Sequence, residues 1–278
     1  MSIDQHREAD YDNRAAVPDY ADIFLRWQAA AADYRARKTA LGETRLDVAY
    51  GPDPRHTYDI FHAPPDGTPR PRTALFIHGG YWRALDKSYF SHMAAGLNAH
   101  GYDVALMNYR LCPGVEIPDI MADARAAAEH LARAFDRPLL PFGHSAGGHL
   151  VSHLLTTDWS ALDLPADLTA AGMVVSGLYD LRPLAEISVN ADLKLTSATV
   201  LTASPLLGPV PRLNDLAVVV GGAELPPFLE QNQRLSSLWG AAAQTSTLHI
   251  VDGANHFTIL DPFEDPGSRL TARLAEMG

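Results

Sequence analysis

The sequence predicts one α/β domain, built on a mostly parallel central sheet with helices on both faces. Short apolar runs alternate with helix-like segments from residue 73 to the end of the chain, and this alternation is typical of parallel sheets. The chain has 278 residues, of which 47% are hydrophobic, enough for one large buried core. A glycine-rich turn, GHSAG at residues 143–147, joins one apolar run directly to a helix. Such a strand–turn–helix unit fits the same fold class.

The first 72 residues precede this alternation. Residues 19–38 are predicted to form a helix, because apolar side chains recur at helical spacing at Ile23, Trp27, Ala30 and Tyr34. Two strand-like runs follow at residues 45–50 and 58–61. Residues 63–72 hold four prolines and a glycine and predict a turn or surface loop. We expect residues 1–42 to form a helical extension that packs on the domain.

The alternating part supplies the remaining elements of the sheet and its cover. Buried strands are predicted at residues 73–77, 102–107, 138–142, 171–176, 215–220 and 245–251. Helices are predicted between and after them, at residues 88–98, 117–134, 146–155, 227–239 and 265–277. Residues 181–210 do not fit this rhythm and are longer than a typical connection. We expect them to form a small irregular cap insertion, within a single domain over residues 1–278, at the sheet edge that holds ligands in such folds.

Composition and charge exclude several classes of protein. The formal net charge is −11 and no cluster of Lys or Arg stands out, so nucleic acid is not an expected partner. The charged N-terminal residues lack the apolar core of a signal peptide, and no run of eighteen apolar residues occurs. Cys112 is the only cysteine, so no intrachain disulfide can form, and we interpret it as a small core residue. A cytoplasmic protein with no membrane contact is expected.

A candidate nucleophile lies in the glycine-rich turn. Residues 143–147 match G-x-S-x-G, with Ser145 at the centre. A strand that reverses sharply into a helix strains its turn residue, and small neighbours two positions away let strand and helix approach. The serine hydroxyl then projects from the sheet, and the N–H of Ala146 points at the site of a developing oxyanion. An ordinary glycine-rich turn without chemistry is the alternative interpretation.

A serine hydroxyl needs a base, and the base needs an orienting acid. His256 follows the last predicted strand, which places it at the same sheet edge as Ser145. Two acids compete for the third role. Glu224 follows the strand before last, the usual acid position, and Asp180 follows the strand before that one. We predict Glu224 and keep Asp180 as the alternative.

Three other histidines lie near the serine. His144 occupies the variable position of the turn, so we expect its side chain to point away from the reaction. His149 and His153 are four residues apart, as two metal ligands on one helix face would be. The H-E-x-x-H pattern is absent and no acidic third ligand is evident. We therefore predict no metal site.

Several segments in chain order resemble one family. They are HGGYW at residues 78–82, NYRLCP at 108–113, GHSAGGHL at 143–150, SGLYDL at 176–181, SPL at 204–206 and NHF at 255–257. This set resembles the arylformamidase (kynurenine formamidase) family of the α/β-hydrolase superfamily and its bacterial esterase relatives. Residues 11–27 resemble the N-terminal helix of the bacterial members. The likeness covers nearly the whole chain.

The resemblance implies a metal-independent serine hydrolase without a cofactor. The family nucleophile falls on Ser145, the base on His256, and the acid, often aspartate in the family, on Glu224. The implied oxyanion donors are the backbone N–H groups of Gly79, Gly80 and Ala146. Tyr81 and Trp82 either wall the substrate pocket or pack the loop in place. Their position next to two glycines favours the formamidase branch over hydrolases with a third glycine.

Three functions remain open on the sequence. The leading one is cleavage of an aryl formamide such as N-formylkynurenine. A carboxylesterase acting on short-acyl esters would use the same three residues, because both reactions pass through a tetrahedral intermediate. A non-catalytic protein of the same fold is the third. The expected partner is a small ester or amide substrate, and the sequence does not predict the oligomeric state.

Overall fold

A computed structural model describes residues 5–65 and 68–277 of the chain. Its core is an eight-stranded sheet with the strand order β1-β2-β4-β3-β5-β6-β7-β8. The strands are β1 (Thr44–Ala49), β2 (Thr57–Phe61), β3 (Thr73–Ile77), β4 (Val104–Met107), β5 (Leu139–His144), β6 (Ala171–Val175), β7 (Asp215–Gly221) and β8 (Thr245–Val251). The predicted mostly parallel α/β sheet is confirmed.

Ten α-helices surround the sheet within the described residues. They are α1 (Gln5–Ala9), α2 (Asn13–Ala16), α3 (Tyr20–Ala40), α4 (Ala95–Ala99), α5 (Ile117–Phe135), α6 (Ala146–Leu155), α7 (Asn190–Leu193), α8 (Ser197–Ala203), α9 (Pro226–Gly240) and α10 (Arg269–Glu276). Within residues 5–65 and 68–277, no helix is both long enough and apolar enough to cross a membrane.

Strand direction places the functional loops. β1 and β2 pair antiparallel, and β2 also pairs antiparallel with β4. All pairs from β4 through β3, β5, β6 and β7 to β8 are parallel. Parallel strands all end at one edge of the sheet, so the loops after β3, β5, β7 and β8 meet there.

The central strands of the sheet are buried on both faces. Side chains alternate along β3, so that Leu75 and Ile77 pack with α5, α6 and α9 on one face. Ala74 and Phe76 pack on the other face with α3, α4 and α10. Because both faces are covered, the central strands are apolar without interruption, as in other parallel sheets.

Residues 88–98 differ from the single helix that was predicted. Two short 3₁₀ turns, Lys87–Tyr89 and Ser91–Ala94, come before α4. Phe90 lies between the two turns with a non-helical backbone, at φ −124° and ψ 11°, and its ring is fully buried. Burial of this ring therefore takes precedence over a continuous helix.

Two segments flank the edge where the strands end. Residues 181–210 form short helices, including α7 and α8, instead of strand and helix. The N-terminal part folds as α1, α2 and the long α3. Glu8 accepts hydrogen bonds from the backbone N–H and the hydroxyl of Ser188, which joins the two segments. Residues 1–4 of the expected extension and residues 66–67 of the expected loop lie outside the described residues.

Candidate active site

Ser145 lies on the sharp turn between β5 and α6. Its backbone adopts φ 56° and ψ −120°, which is a strained conformation for a residue with a side chain. A Cβ atom on Gly143 would lie 2.6 Å from the carbonyl oxygen of Gly147. The strand β5 and the helix α6 therefore approach this closely only because Gly143 has no side chain. A Cβ atom on Gly147 would lie 1.9 Å from the carbonyl oxygen of Ile77, so glycine there lets the helix approach β3. The turn fixes the Ser145 hydroxyl at the edge where the strands end.

His256 lies in the loop after β8 and faces the serine. Its Nε2 atom is 3.1 Å from Ser145 Oγ, within reach for a proton transfer. The loop is held in shape by Asn255, whose Oδ1 accepts hydrogen bonds from the backbone N–H groups of Phe257 and Thr258. Both Ser145 and His256 are buried, at 3% and 4% exposure.

Glu224 completes a chain of hydrogen bonds. Its Oε2 atom accepts a 2.6 Å hydrogen bond from Nδ1 of His256. Its Oε1 atom accepts hydrogen bonds from the backbone N–H of Gly221, at 2.7 Å, and from the hydroxyl of Ser176. With both oxygens occupied, the carboxylate cannot rotate freely. It therefore fixes the imidazole in one orientation and one tautomer, with Nε2 left to accept a proton.

Asp180 faces a different set of partners. Arg182 Nε donates a 2.9 Å hydrogen bond to Asp180 Oδ1, and Arg234 lies 3.9 Å from Oδ2. Burial alone would raise the pKa of Asp180, but the hydrogen bonds and charge of Arg182 outweigh burial and lower it. No hydrogen bond or ion pair joins the described residues Asp180 and His256. The structure thus brings Glu224, and not Asp180, to the histidine.

The glycines after β3 lie directly against the serine. A Cβ atom on Gly79 would lie 3.0 Å from Ser145 Cβ, so only glycine lets this backbone come so close. Gly80 has a φ of +117°, and a side chain there would overlap the carbonyl oxygen of Ala84. Ala146 is the first residue of α6, where backbone N–H groups have no partner within the helix. Gly79 and Ala146 therefore border Ser145, and Gly80 lines the same cavity as the serine.

The HGGYW motif at residues 78–82 is held in place by the NYRLCP motif at residues 108–113. Nδ1 of His78 donates a 2.7 Å hydrogen bond to the carbonyl oxygen of Gly79. The hydroxyl of Tyr109 donates to the carbonyl oxygen of His78 at 2.9 Å, and the N–H of Cys112 donates to that of Trp82 at 2.9 Å. Burial lowers the pKa of His78 to about 4, so it is neutral near pH 7. No local sequence pattern predicts these supporting contacts, although residues 108–113 (NYRLCP) carry part of the family resemblance.

Tyr81 and Trp82 separate in the structure. Tyr81 lines the cavity above the serine and donates a 2.6 Å hydrogen bond to the carbonyl oxygen of Tyr11. Trp82 is fully buried and packs edge-on against His149, with ring centres 4.9 Å apart. It is not among the cavity-lining residues. This corrects the expectation that Trp82 walls the pocket: its ring anchors the loop in the core.

His144 also departs from expectation. Instead of pointing away, its side chain borders the cavity, and Nε2 donates a 2.8 Å hydrogen bond to the carbonyl oxygen of His256. Burial, and secondarily the proximity of His256, lowers the pKa of His144 well below its usual value. A neutral His144 therefore helps to hold the loop that carries His256.

His149 and His153 bind each other and the backbone. Their Nε2 atoms are 3.2 Å apart, and both contact the carbonyl oxygen of Ala203. Burial lowers the pKa of His149 well below its usual value, with a further contribution from His153. In the part of the chain that the structure describes, no group of three or more His, Cys, Asp or Glu side chains could hold a metal ion.

A cavity of about 740 Å³ opens above Ser145 and His256. Its walls include the loop after β3 and part of the 181–210 segment, at Ile187, Ser188, Val189 and Asp192. The rest comes from a stretch that we call the N-terminal segment, residues 8–27. It contributes aromatic residues (Tyr11, Tyr20, Phe24 and Trp27) and charged residues (Glu8, Asp12 and Arg14). The helical pattern of this segment predicts that it packs on the domain but does not predict that it borders the site.

Known proteins of similar sequence and structure are hydrolases. The BD-FAE family model matches residues 58–173. Kynurenine formamidase of Danio rerio is 28% identical over 87% of this chain and 84% of its own length. Kynurenine formamidase of Salmo salar is 29% identical over 92% of this chain and 89% of its own. A candidate thioesterase from Silicibacter sp. TM1040 has a crystal structure with a TM-score of 0.86, at 35% identity over 95% of this chain and 97% of that chain.

The fold and the comparisons indicate the same class of protein: the chain is an α/β-hydrolase, and its relatives are hydrolytic enzymes. Within that superfamily the chain is similar over most of its length to kynurenine formamidases and to a bacterial candidate thioesterase. The predicted fold and the resemblance to the kynurenine formamidase family are confirmed.

Proposed function

We propose that the protein is a metal-independent serine hydrolase in which Ser145 is the nucleophile, His256 the general base and Glu224 the orienting acid. The observation that carries the proposal is the continuous chain of hydrogen bonds from Ser145 Oγ to His256 Nε2, at 3.1 Å, and from His256 Nδ1 to Glu224, at 2.6 Å. This geometry suits removal of the serine proton as Oγ attacks a carbonyl carbon.

Backbone N–H groups of Gly79, Gly80 and Ala146 are the proposed oxyanion donors. Gly79 and Ala146 border Ser145, and Gly80 lines the same cavity. A side chain at Gly79 would crowd the serine, and one at Gly80 would overlap the carbonyl oxygen of Ala84. Losing one such donor typically costs about a hundred- to a thousandfold in rate. Donors on a rigid backbone need no rearrangement as negative charge develops, so they stabilise the transition state more than the substrate.

The proposed substrate is an aryl formamide such as N-formylkynurenine. Attack by Ser145 on the formyl carbon produces a tetrahedral intermediate, and protonation of the amine by His256 releases kynurenine. Water, deprotonated by His256, then hydrolyses the formyl-enzyme to formate and free serine. The relatives named kynurenine formamidase support this substrate. The aromatic wall of the cavity, formed by Tyr20, Phe24 and Trp27, suits an aryl group.

A carboxylesterase with short-acyl substrates is the second candidate. The same three residues would perform it, and the resemblance to the 35% identical candidate thioesterase supports a substrate of the ester or thioester type. The decisive comparison is kcat/KM for N-formylkynurenine against 4-nitrophenyl acetate and butyrate. We expect the formamide to exceed both esters. A higher kcat/KM for either ester would transfer the assignment to the esterase.

Catalysis itself is tested by covalent labelling. An organophosphonate should label one serine per chain, and peptide mapping should locate the label on Ser145. The absence of labelling would indicate a non-catalytic protein of this fold. Consistent with the proposed reaction, we propose a small-molecule substrate, no cofactor, no nucleic-acid partner and a cytoplasmic location. We further propose that residues 181–210 act as a cap over the site in a single-domain enzyme.

A further inference from the structure

Five charged side chains line the cavity above Ser145, and four of them are already engaged. The five are Glu8, Asp12, Arg14, Arg83 and Asp192. Glu8 and Asp12 accept hydrogen bonds from backbone N–H groups. Arg83 and Asp192 form an ion pair at 2.6 Å. Arg14 is therefore the candidate for binding something that enters the cavity.

Arg14 is held by aromatic rings instead of by an acid. Its guanidinium carbon lies 5.3 Å from the ring centre of Tyr20 and 5.8 Å from that of Phe24. No carboxylate among the described residues forms an ion pair with it. Stacking on ring faces leaves the N–H groups in the guanidinium plane free to donate. These donors match the two oxygens of a carboxylate.

The neighbouring residue supplies an independent indication. Asn13 is 4% exposed and borders the same cavity. Its Nδ2 atom is buried and donates no hydrogen bond to any described residue. Buried amides without a partner are costly and uncommon, so a ligand acceptor at this position would satisfy the group. Asp12 caps the short helix that carries both residues through the N–H of Ala15, at 3.0 Å, and so fixes their positions.

We propose that Asn13 and Arg14 form a subsite for a carboxylate on the substrate, which makes this enzyme selective for acyl compounds that carry an acid group. The inference rests on the proposed function and deepens it, since N-formylkynurenine carries the carboxylate of its amino-acid part. In a chain of net charge −11, an anionic substrate is repelled in general. A free cation at the cavity is then what admits and orients it.

A pair of substrates isolates the subsite. N-formylkynurenine and formanilide share the aryl formamide bond, but formanilide has no carboxylate. Arg14→Gln should raise KM for N-formylkynurenine about 10- to 100-fold, the range for a charge-assisted hydrogen bond. The kcat/KM for formanilide should stay within about twofold. Asn13→Ala should raise KM selectively in the same way, by a smaller factor, and Arg14→Lys should recover part of the loss.

The matched control is Arg26→Gln. Arg26 is an exposed arginine on α3 that does not line the cavity, so its loss changes the net charge equally. It should leave both substrates within about twofold. The subsite is overturned if Arg14→Gln affects both substrates equally, if it affects neither, or if Arg26→Gln reproduces the selective loss.

Failure of the proposed function can be distinguished from failure of the carboxylate subsite. If the wild-type enzyme hydrolyses neither formamide, the arylformamidase assignment is overturned and the subsite is measured on esters. The pair is then 3-acetoxybenzoate, whose leaving group carries a carboxylate as that of N-formylkynurenine does, and phenyl acetate, whose leaving group does not. Arg14→Gln should lose rate on 3-acetoxybenzoate alone. Equal rates of variant and wild type on that ester would overturn the subsite independently.

Discussion

The hydroxyl of Tyr81 donates a 2.6 Å hydrogen bond to the backbone carbonyl oxygen of Tyr11, 70 positions away in the chain. This contact ties the loop of the proposed oxyanion site to the N-terminal segment. Gln231 on α9 adds a second tie, since its Nε2 donates to the Tyr11 hydroxyl at 3.2 Å. Burial raises the pKa of Tyr81, so its hydroxyl remains protonated as a donor. Walls of the cavity above Ser145 are therefore joined by contacts between distant parts of the chain.

Tyr81→Phe should loosen the N-terminal segment. The change removes one hydrogen bond, a contribution of about 1 kcal/mol, and leaves the carbonyl oxygen of Tyr11 without that donor. Amide hydrogen exchange should accelerate about fivefold across residues 8–16, and KM for N-formylkynurenine should rise. Tyr89→Phe is the control, because no described residue hydrogen-bonds to the Tyr89 hydroxyl. Unchanged exchange in Tyr81→Phe would contradict the proposed link.

These contacts explain what the sequence could not predict. Periodicity placed Trp27 on the inward face of a helix, and the structure confirms that it is buried. Periodicity could not show that this helix face borders the cavity that holds Ser145, because the elements that meet there are more than a hundred residues apart in the chain. Nor could it separate Tyr81 from Trp82, since two adjacent aromatic residues give the same local signal whether they face a cavity or the core.

Glu224→Gln should lose far more activity than Asp180→Asn. The neutral amide of glutamine cannot stabilise a protonated His256 as the carboxylate does. Replacing the acid of a comparable triad by its amide lowers kcat about ten-thousandfold. Asp180 pairs with Arg182, so its loss should stay within about tenfold. Steady-state kcat values for the two variants decide between them. The opposite ranking would assign the acid role to Asp180.

Ser176→Ala should lower kcat without a matching change in KM. The variant removes one of the two hydrogen bonds that Glu224 Oε1 accepts and keeps the one from Gly221. A lost hydrogen bond to a carboxylate should reduce kcat about tenfold, with KM within about twofold. Ser152→Ala, which removes a buried hydroxyl bonded to the carbonyl oxygen of His149, is the matched control. A kcat equal to that of the wild type would show that Ser176 does not position the acid.

Lowering the pH should destabilise the fold at pH values well above those at which carboxylates become protonated. Burial lowers the pKa of His78, His92 and His153 to about 4, and it lowers the pKa of His144 and of His149 well below the usual value for histidine. In the unfolded chain these histidines titrate near pH 6.5. The unfolded state therefore binds more protons below that pH, and stability falls as the pH drops from 6.5 toward 4.

Each such histidine contributes up to about 1.4 kcal/mol per pH unit within that window. The free energy of unfolding, measured with urea at pH 7.5, 6.5, 5.5 and 4.5, should change little between pH 7.5 and 6.5 and should fall steeply from pH 6.5 to 4.5. His153→Gln, which cannot be protonated, should flatten this dependence. Equal stability at pH 6.5 and pH 4.5 would contradict the neutral, buried state of these side chains.

Local patterns nevertheless predicted much of the site. The bounds of β3, α6 and β8 agree with prediction, because an apolar strand, a glycine-rich turn and an uninterrupted helical pattern each determine their own backbone. His256 followed from the same logic, as a histidine directly after the last strand. The hydrogen bond from Ser176 to Glu224 could not be predicted, because a single serine at the end of a strand gives no local indication of a partner 48 positions later.

The most direct test of the account is turnover of N-formylkynurenine by Ser145→Ala beside the wild type. With its hydroxyl 3.1 Å from His256 Nε2, Ser145 is the proposed attacking group, and its removal should lower kcat at least about ten-thousandfold. The variant should keep the wild-type circular dichroism spectrum and should no longer be labelled by an organophosphonate. A folded Ser145→Ala variant that retains turnover near that of the wild type would contradict the account.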